Sequence, residues 1–205
     1  MKCVVRTLKE SVTDQTLPVF PKIVLKNYLT TSQNGQKINL DDIKVKYNKT
    51  KVDIVYERTG SSLMTIISIG GADAYLSNNS SYCVPFNKTR VDYFSVTNDT
   101  EIHAGFDTSD GSAYVDANSG TAATPVSNTA YTTGVRLFAK LANDTDSVAG
   151  VIKLKRIYIK TWNDGTSQYD EFTLVPALLC DKAVLYDATR SKVYGEANGG
   201  DLVCG

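Results

Sequence analysis

The chain has 205 residues, long enough for one sizeable core, and an all-β sandwich of that length is commonly a single domain. Its 22 Lys and Arg balance 22 Asp and Glu, with one His, which excludes a global field favouring nucleic acid or an anionic membrane. Frequent Thr, Ser, Asn and Val, together with 12 Tyr and 14 Gly, suit short strands joined by polar turns, so helices should be few.

Residues 1–26 differ from the rest of the chain. The opening MKCVVRTLKESVTDQT lacks the apolar run of a secretory signal, and nothing in the chain approaches the roughly 18 apolar residues a transmembrane helix needs. Synthesis as a soluble cytoplasmic polypeptide is the expectation. Pro18 and Pro21 favour an extended segment, read either as a first edge strand or as an arm docking on a neighbouring subunit. From Asn27 the signals become regular. The turn Ser32 to Gly35 leads to Lys37–Leu40, and Lys44–Tyr47 alternates. Val52, Ile54 and Tyr56 share one face of a half-buried strand, and Leu63–Ile69 is apolar on both faces, as in the middle of a sheet. Tyr75-Leu76, Tyr82–Val84 and Arg90–Val96 continue the series, with a polar turn expected over Ser77–Ser81.

The middle is the least apolar part. His103 lies in Thr100–Gly105, FDTSDG comes next, and Asp116–Ala130 reads as a long loop or a pair of short outer strands. Val135–Lys140 is again a strand. A long strand from Gly150 to Thr161 then enters the turn Asn163-Asp164-Gly165-Thr166, the apolar run Phe172–Pro176 leaves it, and Val184–Asp187 with Val193-Tyr194 suggests a second hairpin. No fixed-period repeat is present, which argues against a propeller or solenoid. Cys3, Cys83, Cys180 and Cys204 are scattered without a CxxC pair, so isolated thiols are expected; a Cys180–Cys204 bridge is geometrically conceivable.

These C-terminal motifs carry a resemblance. Together with Gly35-Gln36, Lys37–Leu40, Val52–Tyr56 and Val135–Lys140, the strand beginning at Arg156, the Asn163–Thr166 turn, Phe172, Leu174–Ala177, Val184–Asp187 and Lys192–Tyr194 resemble a concanavalin A-like jelly roll. More narrowly, they are similar to the laminin-G-like domains of bacteriophage virion proteins and of surface proteins of gut bacteria. The match covers roughly residues 36–200; the acidic Gln168–Phe172 segment departs from the pattern, the N-terminal strand is shorter, and residues 1–26 have no counterpart in it. The resemblance implies a jelly-roll β-sandwich of two antiparallel sheets over residues 27–205, preceded by an extended N-terminal arm. It further implies a non-enzymatic virion structural protein, a capsid decoration, head fibre or tail-associated component made in the host cytoplasm and displaying a lectin-like jelly roll, with carbohydrate as a candidate ligand. Such a protein would contact other virion proteins through the arm, form homo-oligomers and possess neither nucleic-acid nor membrane partners. A bacterial surface or secreted glycan-binding module is the alternative.

Chemistry is sparse. Glycosidases on such sandwiches need two carboxylates sharing one face, and the five glutamates, Glu10, Glu57, Glu101, Glu171 and Glu196, include no such pair. Asp170 and Glu171 are adjacent and point to opposite faces of a strand. His103 lacks a nucleophile in a recognisable elbow and reads as a structural or surface residue. Calcium is a weak expectation: Asp107 and Asp110 in one loop and Asp144 and Asp146 in another supply hard oxygens, though Asp-rich turns explain both. For a glycan, the best candidates are Trp162, Asn163, Asp164 and Tyr169 at the hairpin mouth, because sugars offer an apolar face and a rim of hydroxyls. The plainer alternative packs Trp162 against the neighbouring sheet as an edge anchor.

Overall fold

The computed structural model describes residues 22–70, 74–79, 82–87, 90–91, 94–119, 127–139, 149–195 and 201–205. Among them there is no helix, and twenty strands form. The first ten are β1 (Ile23–Leu25), β2 (Leu29–Thr30), β3 (Ile38–Asn39), β4 (Val45–Lys46), β5 (Thr50–Arg58), β6 (Met64–Ile69), β7 (Ala74–Asn79), β8 (Tyr82–Asn87), β9 (Arg90–Val91) and β10 (Phe94–Ser95). The other ten are β11 (Glu101–Asp107), β12 (Ala113–Val115), β13 (Asn118–Ser119), β14 (Tyr131–Thr132), β15 (Val135–Leu137), β16 (Ile152–Asn163), β17 (Gln168–Leu179), β18 (Lys182–Asp187), β19 (Lys192–Tyr194) and β20 (Val203–Cys204).

The strands make an antiparallel β-sandwich. One sheet runs β13-β12-β11-β5-β16-β17-β18-β19, with β1 joined to β17 and β2 joined to β16 and β20. The facing sheet runs β10-β8-β7-β6-β15-β3, with β9 on β8, and a separate ribbon pairs β14 with β4. The all-β class and antiparallel sandwich expected from the sequence are what the chain forms.

The core follows from alternation. Val52, Ile54 and Tyr56 of β5, Ile102, Ala104 and Phe106 of β11, Ile157 and Ile159 of β16, and Phe172 and Leu174 of β17 are all buried. They join Met64, Ile66, Leu76, Val135 and Leu137 from the facing sheet in one cluster. Every residue of β6 is buried, in keeping with its place between β7 and β15.

Several boundaries differ from expectation. Of the expected arm or edge strand over 1–26, residues 1–21 lie outside the described residues; Ile23–Leu25 is a sheet strand, with Ile23 opposite Leu179 and Leu25 opposite Ala177. It joins β17 where β16 has left it. Pro176 sits at that junction and its carbonyl accepts from the Lys26 amide at 2.9 Å. Since the nitrogen and carbonyl of one strand residue point the same way, the missing N–H of Pro176 falls at a gap in the ladder. Ser77–Asn79 belongs to β7 rather than to a turn, and buried Ser77 meets the Thr65 hydroxyl at 3.1 Å. The strand expected to reach Lys140 stops at Leu137, because Phe138 takes φ 61° and its amide turns to the Ile66 carbonyl.

The largest difference is β11, which sits between β5 and β12 in the large sheet, where the sequence suggested a weakly apolar stretch. Its inward residues Ile102, Ala104 and Phe106 do alternate, but Glu101, His103, Gly105 and Asp107 on the other face dilute the apolar count. The hairpin after β17 is a two-residue turn in which Cys180 and Asp181 both have positive φ, 49° and 62°, as a type I′ connection requires.

Candidate functional site

Burying one face of β5, β11, β16 and β17 sends a second set of side chains outward. Register aligns these in rows. Gly105 faces Asp53, Asp53 faces Tyr158, and Tyr158 faces Thr173, with Tyr114 of β12 beside Gly105. The next row along the strands holds Asp107, Lys51, Lys160 and Glu171. Beyond it Trp162 faces Tyr169 at the mouth of the hairpin. In the other direction a β-bulge interrupts β16 between Leu154 and Arg156. The extra residue lets Lys155 and Arg156 both face outward, which puts Arg156 opposite Val55, adjoining the row of Asp53 and Tyr158.

Asp53, Val55, His103, Tyr114, Arg156, Tyr158 and Thr173 line a depression of about 270 Å³ at the centre of this face. Gly105 makes room for it: a Cβ there would lie 2.6 Å from the Tyr114 hydroxyl, so the tyrosine ring lies across the glycine. Asp53 is half-buried and receives no hydrogen bond from any described residue; its nearest cation, Lys51 Nζ, is 3.8 Å away. Burial holds its proton on above the usual carboxylate range, against the opposing pull of Lys51 and Arg156. Tyr158 is pushed up to about 12 by burial and by its interaction with Glu171, whose own carboxyl is held low by Lys160 and then Tyr158. His103 is an exposed mid-strand residue, its Nε2 3.1 Å from Glu101 Oε1. Glu101 and Glu57 are both held low, chiefly by hydrogen bonds from Lys155 and Lys153 respectively.

The hairpin mouth brings together the residues singled out from the sequence. Trp162 and Tyr169 meet edge to face, with centroids 5.1 Å apart at 77°. Trp162 Nε1 donates to Asp164 Oδ1 at 2.9 Å, and Lys49 Nζ sits 4.8 Å from the Trp162 ring. Trp162 therefore lies on the outer face, not against the other sheet. Asp164 also accepts from Lys46 Nζ at 2.6 and 2.5 Å, and Lys46 is the first cause of its lowered pKa. Asn163 donates to Asp170 Oδ2 and accepts from the Gly165 amide, both at 2.9 Å. The polar groups of Trp162, Asn163 and Asp164 are thus committed to one another and to the loop, while Tyr169 remains 46% exposed. On the far side of the hairpin, Lys44, Tyr131, Asn163, Asp164, Gly165 and Asp170 border a depression of about 240 Å³.

Asp107 Oδ1 accepts from the Ser109 amide and Asp110 Oδ1 from the Ser112 amide, both at 2.8 Å, as turn-forming aspartates do. Asp144 and Asp146 lie outside the described residues, among which no group of three or more His, Cys, Asp or Glu could hold a metal ion. The conceivable Cys180–Cys204 bridge is not formed. Cys204 is a free thiol whose Sγ lies 3.5 Å from the Ala177 carbonyl, whereas Cys180 is disulfide-bonded, correcting the expectation of an isolated thiol there.

Sequence reasoning missed Asp53, Tyr114, Tyr158, Arg156 and Thr173 as a group. Each is an outward residue of a strand, but their meeting depends on a register spanning five strands, β12 to β17.

No protein family's profile matches this chain, and no curated protein does. Among solved structures, the fold is similar to that of a Bacteroides ovatus protein described as a "putative carbohydrate binding protein", with a TM-score of 0.51 and 11% identity. The likeness covers 88% of this chain, which spans 60% of that protein's length. At that identity the likeness is one of fold: this chain is an all-β sandwich of the same kind.

Proposed function

We propose that this chain is a non-enzymatic carbohydrate-binding module that receives a glycan along the outer face of its large sheet. The observation that carries the reading is Asp53, a half-buried carboxylate given no hydrogen bond by any described residue, set between Tyr114 and Tyr158 in a depression of about 270 Å³. A carboxylate accepts from two neighbouring hydroxyls at once, and flanking tyrosine rings suit the apolar face of a pyranose. Thr173, Arg156 and His103 add donors at the rim. The fold likeness to the Bacteroides ovatus protein supports the same reading.

The reading without turnover is supported by Asp107, the acid diagonal to Asp53 on β11, whose Oδ1 is held in its own turn by the Ser109 amide, and by the distance to Glu171. Asp53 and Glu171 are separated by β16 and offset along the strands, about 12 Å apart at the backbone. Retaining glycosidases hold their carboxylates about 5 Å apart and inverting ones no more than about 9.5 Å. The disulfide at Cys180 favours an oxidising compartment, as for a bacterial surface or secreted module. Display on a phage virion would depend on residues 1–21, which lie outside the described residues, and no comparison supports it.

The test is a glycan array on the intact chain, with Tyr158→Ala and Asp53→Asn beside it. Binding by the wild type that both variants lose is the expected result. A wild-type chain that binds nothing on the array overturns the proposal, and so does one whose binding ignores both substitutions.

A further inference from the structure

One row beyond Asp53 and Tyr158, the same face changes character. A second depression, of about 320 Å³, is lined by Lys49, Lys51, Asp107, Ser109, Lys160 and Tyr169. Three ammonium groups and one carboxylate meet there, in a chain whose overall charge is balanced. Each lysine leans on an aromatic ring: Lys49 on Trp162 at 4.8 Å, Lys160 on Tyr169 at 5.0 Å and Lys51 on Tyr114 at 5.9 Å. Such contacts order long side chains that would otherwise sample many rotamers, so less entropy is lost when an anion arrives.

The carboxylates nearby do not neutralise the group evenly. Lys160 Nζ is 3.1 Å from Glu171 and Lys51 Nζ 3.8 Å from Asp53, but Lys49 has no carboxylate within 4 Å among the described residues. Asp107, the one acid in the lining, points Oδ1 into its own turn through the Ser109 amide.

We propose that the Lys49, Lys51, Lys160 and Tyr169 depression is an anion subsite, and that the glycan bound by this chain is acidic, carrying a carboxylate or sulfate ester. The inference rests on the glycan-binding reading and adds the ligand's charge. Geometry links the two depressions. Lys51 is two residues from Asp53 on β5, and Lys160 two from Tyr158 on β16, a step of about 7 Å along the sheet. One sugar can therefore present hydroxyls to Asp53 while its acidic neighbour or substituent reaches the lysines. Lysine ammoniums are compact charges with rotatable donors, suited to the oxygens of either anion.

The experiment uses the intact chain in affinity electrophoresis through dextran, carboxymethyl-dextran and dextran sulfate, which share a backbone and differ in charge. The wild type should be retarded by one or both acidic polymers, at about 0.15 M salt, at least about fivefold more strongly than by dextran. Lys49→Gln should lower that acidic affinity about fivefold, while Lys182→Gln, on β18 and paired with Asp201, should not. Preference for only one acidic polymer identifies the substituent. Equal retardation in all three gels, or Lys49→Gln behaving as Lys182→Gln does, overturns the inference. If the glycan array meanwhile shows neutral sugars held through Asp53 and Tyr158, the general reading survives that result. Silence on the array and in every gel removes both.

Discussion

Substituting Gly105 by Ala tests the geometry of the sheet face most directly. The added methyl would lie 2.2 Å from the Val52 carbonyl oxygen, 2.6 Å from the Tyr114 hydroxyl and 2.8 Å from Tyr114 Cζ. Carbon–oxygen contacts across a sheet settle near 3.3 Å, so the carbonyl must retreat by about 1 Å. It has nowhere to go: β5 is hydrogen-bonded to β11 on one side and β16 on the other, and Val52 is buried in the core. Overpacking of this kind costs about 1–3 kcal/mol. Reduced freedom of the unfolded chain returns about 0.4–1 kcal/mol. A net loss of about 1.3 kcal/mol lowers the melting temperature of a domain this size by about 3–5 °C. Circular dichroism melts measure it. Adding Tyr114→Ala should recover only part of the loss, because the Val52 contact remains. The single variant should also bind glycan more weakly, since the Tyr114 ring is displaced from the groove. A Gly105→Ala chain melting within about 1 °C of wild type would refute the close approach.

Three further outcomes are expected. Asp53→Asn should stabilise the fold at neutral pH while weakening glycan binding: the folded chain holds the Asp53 proton more tightly than the unfolded one, so stability falls as pH rises through the ordinary carboxylate range to the raised folded value, and the penalty is complete above it. Urea unfolding at acidic and neutral pH checks the sign, and a variant less stable at neutral pH contradicts it. Asp187→Ala should cost about 2–3 kcal/mol, because a fully buried carboxylate that accepts from the Thr189 amide at 3.0 Å and from its hydroxyl closes the β18–β19 turn; an unchanged denaturation midpoint would count against it. Cys204 should label with Ellman's reagent far more slowly in the native chain than in denaturant, since burial pushes its thiol up; equal rates would place it in solvent.

Parts of this architecture were legible residue by residue. Alternation in Val52–Tyr56 and the run Met64–Ile69, apolar on both faces, identify strands because burial is periodic and local. The β16–β17 hairpin was equally plain, and with it the cross-strand neighbours Trp162 and Tyr169. Strand β11 was harder, since Glu101, His103, Gly105 and Asp107 serve the outer face and make a central strand look like a polar connection. Phe138 was misleading in the opposite sense: its apolar side chain extends the strand pattern, yet its backbone turns left-handed.

By itself the sequence determined the periodicities, the turns and therefore an antiparallel all-β sandwich, because those depend on each residue's neighbours in the chain. The tertiary structure decided which outward side chains meet. Tyr114, Asp53, Tyr158 and Thr173 come from four strands and are aligned by a register that the buried faces set, while the bulge before Arg156 adds a charge to that row. A slip of one residue in any of these pairings would turn the strand's polar face inward. The core's demand for burial on one side is thus what assembles the depressions on the other.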